Sequence, residues 1–157
     1  MTMDIENVIL WGFVATIVLT ILLAVSKPLG ISRIDIPFLL GTMLTANRNK
    51  APFYGLLLHI VIGLVFAFLY AAILESLETR HWWYGMLGGA IHGAFVLSAG
   101  LNVLAAFHPR MAHPYQGPTP TRQLQPPGFF ALNYGKGTPI MTMVAHIVYG
   151  GLLGLFY

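Results

Sequence analysis

PFYGLLLHIVIGLVFAFLY at residues 52–70 and PIMTMVAHIVYGGLLGLFY at residues 139–157 are two apolar stretches of equal length that align without a gap. Pro52, His59, Ile60, Val61, Gly63 and Tyr70 fall on Pro139, His146, Ile147, Val148, Gly150 and Tyr157 at a constant offset of 87. Neither stretch contains an Asp, Glu, Lys or Arg. A helix needs roughly 20 apolar residues to cross the hydrocarbon core of a bilayer. Both stretches therefore read as spans, each with a proline in the first turn, where its missing N–H costs nothing.

Two more stretches meet the same test, giving spans at 8–25, 52–74, 82–107 and 139–157 of a single transmembrane domain. The first is preceded by Asp4 and Glu6 instead of bases, which favours a span over a secretory leader. Composition agrees: 57% of the residues are hydrophobic and 8% charged, against about 25% charged in soluble domains. Trp11, Tyr70, Trp82, Trp83, Tyr84 and Tyr157 fall near span ends, as interfacial aromatics do. Zero cysteines exclude disulfides and thiolate ligands.

The bases orient the chain. Lys27, Arg33, Arg48 and Lys50 lie between the first two spans, and Arg110, Arg122 and Lys136 between the last two. The opposite side has Arg80 against Asp4, Glu6, Glu75 and Glu78. By the positive-inside rule both long loops are expected in the cytoplasm and both termini outside. The net charge of +3 needs no nucleic-acid partner to explain it; lipids and other integral membrane subunits are the expected partners.

Residues 31–45 are apolar but interrupted by Pro37 and Gly41, and too short to cross, so they read as an interfacial or re-entrant segment. Residues 108–137 contain six prolines and read as extended, polyproline-like chain. A connection of this length is uncommon unless functional or disordered. Its His108, Pro109, Arg110, His113, Pro126 and Pro127 are the candidate partner-docking residues.

Looser matches precede the aligned spans: Trp11-Gly12 with Tyr84-Gly85, and 37–41 with 127–131. The expected fold is an all-α bundle of four transmembrane helices, built from two helical hairpins repeated in parallel about an axis along the membrane normal. Gly55 and Gly63 in the second span, Gly85, Gly89 and Gly93 in the third, and Gly150 and Gly154 in the fourth form small-residue stripes. Such stripes let helix backbones approach closely in lipid.

With this pattern in view, the chain resembles a family of small four-helix bacterial membrane proteins of unknown function. The likeness is carried by Gly12-Phe13-Val14-Ala15-Thr16, Ile34-Asp35-Ile36-Pro37, residues 52–70 around His59, Trp83 to Gly88, and residues 138–157. It covers all four spans, and its most specific part is the repeated Pro–His–Gly–Tyr pattern. The resemblance implies the fold and brings no activity. His92, where the family tends to carry a bulky apolar residue or Trp, and the longer proline-rich second loop depart from the family pattern.

The ionisable side chains inside the spans are His59, His92 and His146, and such residues are functional candidates by default. His59 and His146 lie seven residues past their prolines, roughly 10 Å into the membrane, and His92 roughly 13–14 Å in from the other side. The three can therefore converge. In the first reading neutral His59 and His146 hydrogen-bond across the bundle to a carbonyl or hydroxyl and hold the hairpins in register, with no cofactor expected. In the second, two of them ligate a haem or a chlorophyll-type pigment, with Gly55 and Gly63 making room for the flat ring. In the third they form an imidazole metal site or a proton relay.

No carboxylate lies within a span, which weakens a coupled carrier. Ser98 and His92 share a helix without an acid, and no phosphate-binding glycine loop opens a helix, so no enzyme is expected. The leading functional expectation is a non-catalytic accessory subunit of a larger membrane complex of respiratory, photosynthetic or oxygenase type. The alternatives are a haem- or pigment-binding transfer protein and a small-solute or ion transporter acting as a homo-oligomer.

Overall fold

Asp4 starts the first helix, its carboxylate accepting the backbone N–H of Asn7 at 3.1 Å, as an N-cap with a favourable charge should. In the computed structural model, which describes residues 3–78 and 81–157, this helix, α1, runs Ile5–Ser26. Arg80, the lone base assigned to the opposite side, lies outside the described residues. Asp35 caps the short helix α2, Ile36–Leu44, by accepting from Phe38 N–H at 3.0 Å. The Asn47 side chain then takes the N–H groups of Asn49 and Lys50 and turns the chain into α3, Ala51–Ser76. The third span comprises α4, Trp82–Phe95, a π-helical turn, Val96–Gly100, and α5, Leu101–Phe107. The last helix, α6, is Thr138–Phe156.

The chain is thus an integral membrane protein of all-α fold, with four helices among the described residues long and apolar enough to cross a bilayer: Ile5–Ser26, Ala51–Ser76, Trp82–Phe107 and Thr138–Phe156. Large apolar side chains such as Val65, Ile91 and Ile140 point away from the protein, as they should where lipid is the solvent.

The bundle is ordered α3, α1, α6, α4, with α2 laid on α3. Small residues set the contacts. Gly12 of α1 abuts Ala67 of α3, and Gly63 abuts Thr16. A methyl group on Gly85 would run into the Gly150 carbonyl, and one on Gly150 into the Gly85 carbonyl, so α4 and α6 cross backbone to backbone. Gly89 meets His146, Gly93 meets Met143 and His146, and Gly154 meets Trp82. Gly55 serves a different partner: its Cα faces the Pro37 carbonyl of α2, while Gly41 of α2 faces the Ala51 carbonyl. Between α3 and α4, where helix contact is slight, an apolar groove of about 530 Å³ opens beside Tyr70, Ile73, Tyr84 and Leu87.

At one end the two long connections interlock. Arg33 N–H donates to the Tyr134 carbonyl at 2.7 Å, its guanidinium to the Asn133 carbonyl at 2.6 Å, and the Ser32 and Thr138 hydroxyls share a bond of 2.7 Å. The expectation of an extended, polyproline-like segment over 108–137 is corrected here. Met111 bridges Leu124, His113 bridges Gly117, and Phe129–Tyr134 forms tight turns kinked at Phe130 and Ala131, whose backbones are left-handed. Six prolines remove backbone donors but not acceptors. Side chains therefore close the structure: Tyr134 O–H donates to the Gln125 carbonyl at 2.7 Å and Asn133 to that of Pro126 at 3.0 Å. Burial pushes the Tyr134 hydroxyl up to about 12, keeping it a donor. The apolar core runs from Leu19 and Leu23 of α1 through Tyr149 of α6 to Ile34, Met111 and Ala131 under this cap.

Candidate functional site

Thr16 and Thr20 stand one turn apart on α1, and each hydroxyl donates back to the carbonyl four residues earlier at 2.7 Å. With its one proton spent on Thr16, the Thr20 oxygen can only accept from His59 Nδ1, 3.0 Å away. Hence His59 carries its proton on Nδ1 and a lone pair on Nε2. His146 reaches the same tautomer by another route, its Nδ1 donating to the Thr142 carbonyl at 2.8 Å.

His92 sits between these rings and the aromatics. Its ring stacks on Phe66 at 3.9 Å between centroids and stands edge-on to His146 at 4.7 Å. Its Nδ1 is buried without a hydrogen-bond partner among the described residues. Tyr149 closes the cluster, donating to the Gly63 carbonyl at 2.6 Å and meeting Tyr70 edge to face at 5.6 Å. All three histidines, with Thr16, Thr142 and Tyr149, line one internal cavity of about 200 Å³.

The structure thus brings His59, His92 and His146 together, and it overturns the haem or pigment reading. The space assigned to a flat ring is filled, since Pro37 covers Gly55 and Thr16 covers Gly63. Phe66 takes one face of His92. Among the described residues no three His, Cys, Asp or Glu side chains are grouped to hold a metal ion, so the three-imidazole metal site falls as well. What the arrangement does chemically is tie α1 to α3 through Thr20–His59 and α6 to α3 through Tyr149–Gly63.

The docking candidates divide. His108 is buried, and its assignment to a docking surface is corrected. Its Nε2–H donates to the Leu39 carbonyl at 3.0 Å, near the Thr42 hydroxyl at 3.3 Å, while Nδ1 accepts Arg110 N–H at 3.1 Å. Burial holds its pKa below the usual imidazole value, and the Arg110 charge adds to this. Pro127 is likewise buried. Pro109 and His113 are exposed, and Arg110 and Pro126 are half-buried. Arg110 donates to the Thr42 carbonyl.

Glu75, one of the acids on the side opposite the bases, is half-buried and accepts from Tyr157 O–H at 3.2 Å. Residues missed from the sequence are the histidines' partners: Thr16, Thr20, Phe66, Tyr149, and Leu39 and Thr42 beside His108. Two threonines four apart in an otherwise apolar span were the one signal that pointed to any of them.

No family model, curated protein or solved structure matches the chain.

Proposed function

We propose that the protein is a non-catalytic accessory subunit of a larger complex in the bacterial inner membrane, of respiratory, photosynthetic or oxygenase type. In this reading it is oriented with both long loops in the cytoplasm, and α2 lies at the interface. The observation that carries this is the cap formed by residues 108–137. It is anchored from within by His108, Met111, Pro127 and Ala131, yet it turns aromatic side chains outward, with Tyr115 93% and Phe129 76% exposed. Rigidly held, exposed aromatics are the usual anchors of protein interfaces. Pro109 and His113 are exposed on this cap and, with the half-buried Arg110 and Pro126, complete the proposed contact surface.

The test is purification from the native membrane in mild detergent, with the bound chains identified by mass spectrometry. Replacing residues 113–122 with a Gly/Ser linker of equal length keeps the inner anchors. This variant should lose its partner chains while its thermal melting stays that of the wild type. Undiminished co-purification of the same chains would sink the proposal.

A second reading, passage of a small uncharged solute through a homo-oligomer, is supported by the cavity of about 200 Å³ at the histidines. It requires solute flux in proteoliposomes that Thr16→Leu blocks, and no flux above empty vesicles removes it.

A further inference from the structure

Arg48 and Arg110 reach the same hollow from two connections. It is a cavity of about 460 Å³ between the end of α2 and the cap, with Thr42, Thr121 and Gln123 also in its wall. Both guanidiniums are held in place by neutral groups. Arg110 is half-buried and donates to the Thr42 carbonyl. Arg48 lies over the Phe38 ring, 5.0 Å from its centroid. A carbonyl dipole and an aromatic face orient a guanidinium but do not cancel its charge.

No carboxylate among the described residues lines the hollow. Asp35, the acid at this end, is bonded to Lys27. Asp4 and Glu6 lie in or before the first turn of α1, and Glu75 and Glu78 at the end of α3, so all four sit at the other end of the bundle. Two preorganised, uncompensated guanidiniums with a hydroxyl and an amide beside them match the oxygens of a phosphate group, which arginine binds bidentately. A cation would be repelled, and a wholly apolar ligand would leave two charges desolvated.

We propose that this hollow binds a phosphate group, supplied either by the headgroup of an anionic phospholipid or by a free phosphate. Phe53, in the first turn of α3, is 63% exposed near this level, so a headgroup held here would have its acyl chains beside apolar surface.

The experiment uses the full chain in two arms. In one, protein in nanodiscs of phosphatidylcholine with about one fifth phosphatidylglycerol is released into native mass spectrometry, and retained lipids are counted. In the other, protein in pure phosphatidylcholine nanodiscs is titrated with inorganic phosphate by calorimetry. Retention of phosphatidylglycerol without phosphate binding assigns the headgroup, and saturable phosphate binding assigns the free anion. In whichever arm binds, Arg48→Gln should weaken binding about fivefold, and Arg48→Lys, which keeps the charge but not the planar fork, should restore only part of it. Arg48 is exposed, so its substitution leaves the bundle folded, which melting curves check. No preference for phosphatidylglycerol together with no phosphate binding overturns the proposal. So does binding that is unchanged when Arg48→Gln is combined with Arg110→Gln.

Discussion

His108 is the residue whose surroundings have the most direct consequence for behaviour in solution. Its Nδ1 accepts a backbone N–H from Arg110, so a second ring proton cannot be added without breaking that bond. The pKa lies below 6.5 in the folded protein, so the unfolded chain binds the additional proton more readily. The stabilisation is complete above about 6.5 and is lost as pH falls through the lower, folded value. Proteolysis within residues 113–122 should therefore accelerate as pH is lowered from 7 to 5, and His108→Gln, which keeps a donor but does not titrate, should flatten that dependence. Equal cleavage rates at both pH values in the wild type would contradict the assignment. Tyr149 offers a second check. Removing its bond to the Gly63 carbonyl by Tyr149→Phe should cost about 0.6 kcal/mol, the mean for interhelical hydrogen bonds in lipid, read as a small fall in unfolding free energy in detergent.

At the scale of the helices, the third span explains its own irregularity. Its buried positions are Gly85, Gly89, Gly93, Leu97 and Leu101, every fourth residue without exception. Four such steps along a regular α-helix rotate the stripe by about 160°, away from α6. A π-helical turn at Val96–Gly100 has more residues per turn and brings Leu97 and Leu101 back to the core. The glycine contacts make a matched pair of predictions. Gly85→Ala or Gly150→Ala places a methyl against a backbone carbonyl that cannot move aside, and should lower stability by about 1–3 kcal/mol. Gly100→Ala meets nothing closer than 3.8 Å and should leave stability unchanged or raise it by up to about 1 kcal/mol. Thermal melting of the three variants separates a real crossing at Gly85–Gly150 from a stripe of small residues with no structural role.

For the molecule as a whole, the proposed orientation predicts which side each loop faces. The chain has no cysteine, so Thr119→Cys and Glu78→Cys each report one site. Thr119→Cys should react with a membrane-impermeant maleimide only after the cells are opened, and Glu78→Cys in intact cells. The reverse pattern would invert the topology. Position in the sequence already exposed the four spans, the glycine stripes and the shared depth of His59, His92 and His146, because each depends on composition and spacing along one segment. It did not reveal that Gly55 packs against α2, or that His108 turns inward. Nor did it show that α1 packs on α6 while α3 and α4 leave a groove between them.

The sequence by itself determined that this is a four-span membrane protein with repeated helices. A run of apolar residues in lipid must satisfy its backbone within its own helix, which is a local requirement. Tertiary structure decided the rest. It set which carbonyls Gly55, Gly85 and Gly150 face, which nitrogen of His59, His108 and His146 carries a proton, and that the proline-rich connection folds into an anchored cap. Those outcomes depend on atoms far apart in the chain meeting at close range, and no local pattern encodes which partner arrives. The same non-local packing filled the space beside Gly55 and Gly63, and placed Arg48 and Arg110 in one hollow that no acid among the described residues lines.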